Sequence, residues 1–210
     1  MREEGYGWWV ARFRRALGMY DHVRLDHFLG FANFFSLPAG EGAAKGGWRF
    51  GPGRALFGAA HDALGDLPFL AEDLGVITPA VRMLVETCGF PGIDVAQFCD
   101  YDVRGGYRPA PGKVAYASTH DTSTLVGWCA STFGEDGAPA LARQIMDDMA
   151  GSGSDVLMVS LQDAMFLGDD SRMNVPGTTD RNWKWQAAEG RMAGAEALLH
   201  ELVERQQGER

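Results

Sequence analysis

Apolar positions along this chain alternate between two rhythms. From about residue 4 to 18 they recur at helical spacing, with Trp8, Trp9, Phe13 and Leu17 set for one buried face. The next run, roughly 20–26, has strand length and ends in Arg24-Leu25-Asp26. A glycine-rich stretch over 38–53 reads as a loop, and a helix is expected over about 54–65. Leu67-Pro68-Phe69-Leu70-Ala71 is a short buried strand ending at Glu72. Thr78-Pro79 sets a capping hydroxyl before a proline at the first helical position, which predicts a helix over about 79–88, closed by Cys88-Gly89. Strands are expected over 93–98 and 114–118, the second ending at Thr119-His120-Asp121. Helices follow near 123–131 and 138–150, then a fifth strand over 156–161 ending at Gln162-Asp163. A loop with Asn174, Pro176 and Gly177 leads to a last helix over about 188–206.

Buried strands separated mostly by helices need crossover connections, hence a parallel sheet. Asp26, Glu72, Asp121 and Asp163 each follow directly on an apolar run. In a (β/α) barrel the active site lies at the C-terminal ends of the strands. Five strands are too few to close an eight-stranded barrel. The expectation is an α/β fold forming part of such a barrel, as one partial domain over 1–210.

Composition narrows the function. With 46% hydrophobic residues in 210, the chain can bury a core. A net charge of −9 disfavours a nucleic-acid partner, which needs a basic face, and is no obstacle to a neutral sugar. Cys88, Cys99 and Cys129 form no CxxC pair, and the five histidines show no HExxH spacing. These features read as reduced thiols in a cytoplasmic protein, without a metal site. No apolar run approaches membrane-spanning length, and Met1-Arg2-Glu3-Glu4-Gly5 lacks the apolar core of a signal peptide.

Carboxylates at three strand ends suit glycosidic chemistry. One attacks the anomeric carbon, a protonated one gives its proton to the leaving oxygen, and a third charge stabilises the oxocarbenium-like transition state. Arg24, two residues before Asp26, points to the same side of its strand, where a cation favours the anionic form a nucleophile needs. The competing reading makes each acid a helix cap or a solvated loop residue. Trp48 could stack on a sugar ring or pack within its loop. His27 could orient a sugar hydroxyl or be a satisfied buried histidine. Asn174 could fix its loop or touch substrate. Trp183 and Trp185 alternate as a strand pair would and are expected in the core, and Asp163 is expected to be structural.

Several segments together resemble the 4-alpha-glucanotransferase (amylomaltase) family. Val23-Arg24-Leu25-Asp26-His27-Phe28 resembles its nucleophile motif, and Ala71-Glu72-Asp73-Leu74-Gly75-Val76-Ile77-Thr78-Pro79 its acid/base motif. Tyr116-Ala117-Ser118-Thr119-His120-Asp121-Thr122 resembles its third-carboxylate motif. Arg172-Met173-Asn174-Val175-Pro176-Gly177, with Asn182-Trp183-Lys184-Trp185, is similar to a signature near the family's C-terminus.

The resemblance implies Asp26 as nucleophile, Glu72 as general acid and then base, and Asp121 as transition-state stabiliser. It implies Arg24 and His120 in contact with Asp26 or the sugar, with His27, Trp48 and Asn174 as further substrate-binding candidates. It also implies a (β/α)₈ barrel of which this chain is the C-terminal part, about strands 4–8, the N-terminal strands being absent. The substrates would be maltooligosaccharides and α-1,4-glucans, with no metal or organic cofactor and no membrane partner. Leu29 stands where many members have arginine, and Thr122-Ser123 where Asn-Asp is common. The rival readings are an α-glucan hydrolase on a related barrel and an inactive fragment of the transferase.

Overall fold

Trp9, Phe13 and Leu17 lie four residues apart, so on a helix they share one face. That helix, α1, spans Gly7–Leu17. The structure is a computed structural model and describes residues 1–99, 106–188, 190 and 192–208. It divides into two compact units, Met1–Ile93 and Asp94–Arg210.

In the first unit α1 is followed by β1 (Val23–Leu25), β2 (Asn33–Ser36), β3 (Gly47–Phe50), α2 (Arg54–Leu64), β4 (Phe69–Ala71) and α3 (Pro79–Cys88). β1 and β4 pair in parallel, Val23 opposite Phe69 and Leu25 opposite Ala71. Aromatic rings fill the space between them and the helices. Phe28 is fully buried, its ring 5.4 Å from Phe57, and Phe13 lies 4.9 Å from Phe69. Burying such a side chain contributes about 1.5–3 kcal/mol. Phe28 comes two residues after Asp26, so the same packing anchors the end of β1.

α3 has the expected bounds because its signals are local. The Thr78 hydroxyl accepts from the Val81 amide, and Gly89 closes the helix in the left-handed conformation.

Two expectations fail in this unit. Trp8 is 56% exposed rather than core. It neighbours Trp9 on the helix and cannot share its face, so it meets Trp9 edge-on with the Arg12 guanidinium over its ring. The stretch 38–53 is not all loop: β3 pairs antiparallel with β2, Phe35 opposite Trp48 and Asn33 opposite Phe50. Gly51 permits the return from this hairpin, since a Cβ there would stand 2.2 Å from the Phe31 carbonyl oxygen.

The second unit comprises β5 (Ile93–Val95, beginning at the unit boundary), β6 (Val114–Tyr116), α4 (Leu125–Phe133), α5 (Ala138–Ala150), β7 (Leu157–Met158), α6 (Leu161–Ala164) and α7 (Ala193–Gly208). Its sheet runs β5-β6-β7, with β6 and β7 parallel. Leu125, Cys129, Ile145, Met146, Met149, Leu198 and Leu202 form its core.

The strands are shorter than expected. The run 93–98 turns into a 3-10 segment at Ala96. The run 156–161 stops at Met158 because Ser160 caps α6 by accepting from the Asp163 amide. The last helix begins at Ala193; Glu189 and Arg191, within its expected span, lie outside the described residues. Trp183 and Trp185 form no strand, and Trp183 is 60% exposed, with a left-handed backbone at φ 61°. No helix is long and apolar enough to cross a membrane, among the described residues.

Candidate active site

In the first unit the ladder of β1 and β4 continues past the strands and sets the acids that follow them. The Glu72 amide donates to the Leu25 carbonyl (3.0 Å), and the Glu72 carbonyl accepts from the Phe28 amide (3.1 Å). The Glu72 carboxylate accepts from the His27 amide through Oε2. His27 adopts the left-handed conformation (φ 49°), which presents that N–H to Glu72. The imidazole of His27 is exposed, so the buried-histidine alternative fails.

Arg24 Nη2 lies 3.0 Å from Asp26 Oδ1, as the two-residue strand period requires. The Asp26 carboxylate stays 60% exposed, open to a ligand. Arg24, Asp26, His27 and Glu72 thus form one group. Trp48 is carried separately on β3, largely exposed, its ring 5.6 Å from Phe35.

Glu72 is half-buried, and burial pushes its carboxyl above the ordinary value of 4.5. The His27 amide opposes that rise, the Asp26 charge adds to it and Arg24 works against it. Folding therefore favours the neutral acid. The stability this gives is complete below the unfolded value and is lost as pH rises through the folded one. Glu72→Gln keeps an oxygen for the His27 amide but carries no charge. The variant should melt at a higher temperature than the parent at about pH 8, with the difference vanishing near about pH 3. Thermal denaturation at both values checks this; equal melting at about pH 8 would show that the half-buried charge has no cost.

Asp73, which sequence reasoning left without a role, accepts from the Ile93 amide (2.8 Å) and pins the start of β5. Its signal was available: an acid directly after a site acid, inside the same motif.

In the second unit Asp121 sits on a turn after β6. The Thr122 hydroxyl closes the turn by accepting from the Thr119 amide (2.9 Å). Two carboxylates hold the chain on either side. Asp163, fully buried, accepts from the Ser118 hydroxyl and from the Leu125 amide at the start of α4. Burial raises its pKa, with the Leu125 amide working against the rise. Asp169 accepts from the Thr124 amide and hydroxyl (2.9 and 3.3 Å). It comes so close to α4 that a Cβ on Gly127 would stand 2.3 Å from its oxygen. The structural role expected for Asp163 agrees with its enclosure.

Asp121 keeps a half-exposed carboxylate, with His120 Nε2 3.4 Å from Oδ2. Asn174 Nδ2 donates to Oδ1 at 2.5 Å. The ring of Trp183, expected in the core, lies 5.5 Å from that of His120. His120, Asp121, Asn174 and Trp183 form the second group. Sequence reasoning left out Trp183, and also Arg172, whose Nη2 donates to the Asp121 carbonyl (2.7 Å), although both lie in the quoted motifs. Among the described residues, no group of three or more His, Cys, Asp or Glu is placed to hold a metal ion.

Residues 1–191 match the 4-alpha-glucanotransferase family. The 4-alpha-glucanotransferase of Streptococcus pneumoniae is 35% identical over 95% of this chain and 43% of its own length. The chloroplastic/amyloplastic 4-alpha-glucanotransferase of Solanum tuberosum is 36% identical over 89% of this chain and 35% of its own. Among solved structures, the amylomaltase from Streptococcus agalactiae in complex with acarbose superimposes with a TM-score of 0.85 at 29% identity, covering 96% of this chain and 44% of that one. The amylomaltase from Corynebacterium glutamicum, with a TM-score of 0.71 at 21% identity, shares the fold. The chain thus spans less than half the length of these relatives, and its α/β fold matches part of the amylomaltase structures. With a family match over nearly its whole length and relatives above 30% identity, this chain belongs to the 4-alpha-glucanotransferase family.

Proposed function

We propose that this chain carries the catalytic carboxylates of a 4-alpha-glucanotransferase acting on maltooligosaccharides and α-1,4-glucans. Asp26 attacks the anomeric carbon while Glu72 gives its proton to the departing glycosidic oxygen. The bond breaks and a covalent glucosyl-enzyme forms. An acceptor hydroxyl then attacks the same carbon, Glu72 takes its proton, and Asp26 leaves. Two inversions give net retention. Asp121 holds hydroxyls of the transferred sugar and stabilises the positive charge of the transition state. Arg24 orients Asp26, His120 and Asn174 orient Asp121, and His27 and Trp48 offer a polar and a stacking contact to the glucan.

The observation that carries this reading is the contrast at two adjacent strand ends. Glu72 is half-buried with a raised pKa, while Asp26 stands exposed beside a guanidinium. A general acid must keep its proton, which the half-buried site favours, and a nucleophile must be open to the anomeric carbon, which the exposed site allows.

In the fold, β1, β4, β5, β6 and β7 would be strands four to eight of a (β/α)₈ barrel, with the carboxylates at their C-terminal ends. Three free cysteines fit a reducing compartment such as the cytoplasm. The test is incubation of the protein with maltotriose. Transfer gives both longer and shorter oligosaccharides, with acarbose as an inhibitor. Shorter products alone would mean hydrolysis, and no turnover with intact folding would overturn the reading.

A further inference from the structure

The Arg172 guanidinium makes three hydrogen bonds. Nε donates to the Asn174 carbonyl (2.8 Å), Nη2 to the Asp121 carbonyl (2.7 Å) and Nη1 to the Ser123 hydroxyl (3.3 Å). Two of these acceptors are the main chains of the residues whose side chains meet at 2.5 Å, Asn174 and Asp121. One planar fork therefore joins the turn carrying the carboxylate to the loop carrying its partner. The loop is further folded on itself. The Val175 amide donates to Asn182 Oδ1 (3.0 Å), Asn182 Nδ2 donates to the Thr178 carbonyl (3.0 Å), and the Trp183 amide donates to the Met173 carbonyl (2.7 Å). That closure leaves the Trp183 ring beside His120.

We propose that Arg172 is a positioning residue: it fixes the Asp121 carboxylate by clamping its turn to the loop that carries Asn174 and Trp183. It acts through main-chain carbonyls and so leaves both oxygens of Asp121 to His120, Asn174 and the ligand. A guanidinium suits the task because its donors diverge in one plane. The ammonium of lysine is a point charge and cannot span three acceptors in that geometry. The effect on rate rests on the transferase reading; the clamp itself does not.

The test uses the full chain with Arg172→Gln and Arg172→Lys. Hydrogen exchange should rise several-fold in peptides covering 119–124 and 173–183 for both variants, more for Gln, and stay unchanged across α5. On maltotriose, kcat should fall roughly 10- to 100-fold for Gln and less for Lys, as expected for a misplacement of about 1 Å, with KM within about threefold. In an Asn174→Ala background the same Gln substitution should cost less than about threefold in kcat, because much of what it acts through is gone. A purely structural arginine would give additive losses and spread exchange over the whole unit; either result overturns the proposal, as does unchanged exchange in the two peptides. If the parent protein transfers nothing, the transferase reading falls and the exchange comparison alone decides the clamp.

Discussion

Asp26→Asn should lower transfer from maltotriose by on the order of a thousandfold or more while leaving the fold intact. The amide has nearly the shape of the carboxylate but cannot form the ester to the anomeric carbon, so on the proposed mechanism the first displacement has no nucleophile. Structural loss should be slight. The Asp26 side chain is 60% exposed, so its ion pair with Arg24 is screened by solvent on the carboxylate side. Initial rates and a thermal melt, measured on the same preparation, separate the two effects. Most of the activity retained in a well-folded variant would falsify the nucleophile assignment, because a catalyst that survives loss of the Asp26 carboxylate does not use it to form the ester.

How much of this was legible beforehand depends on the range over which each signal acts. α3 was readable to the residue because Thr78, Pro79 and Gly89 determine their own backbone and that of their immediate neighbours. The acids at the ends of β1, β4 and β6 were readable because an apolar run that stops at a charge marks the point where the chain leaves the core. The hairpin of β2 and β3 was not. Its strands are four residues each, β3 is flanked by glycines, and its existence depends on pairing across more than ten residues rather than on local pattern. Ser160 shows the opposite failure: a single hydroxyl converted the expected end of a strand into a helix start. Trp183 was misjudged because its bulk argues for burial, whereas its partner is the ring of His120, more than sixty residues earlier. Arg172 and Asp169 share that difficulty. The contacts of each exist only once the chain folds back and supplies a carbonyl or an amide.

Glu72→Ala should reduce transfer from natural oligosaccharides by several orders of magnitude, and the loss should depend on the leaving group. A sugar hydroxyl leaves poorly without a proton, so on the proposed mechanism removing Glu72 stops the first displacement. A glucosyl donor whose leaving group is already a stable anion needs no proton, and Asp26 can still attack it. The intermediate then waits for an acceptor that no base activates. Azide, which carries no proton to remove, should take the glucosyl group and release α-glucosyl azide, the retained product of two inversions. The pH dependence gives an independent check. Burial holds the Glu72 carboxyl above its ordinary value, so the protonated form persists into a higher pH range. On that mechanism, kcat of the parent protein for the first displacement should fall as pH rises through that raised value, since the acid form is being lost. With an activated donor, Glu72→Ala should lack this limb. Failure of azide rescue together with an unchanged alkaline limb would remove Glu72 from the acid role. Rescue with loss of the limb would fix both of its duties, proton donor to the departing sugar and base toward the incoming one, on a single half-buried carboxyl.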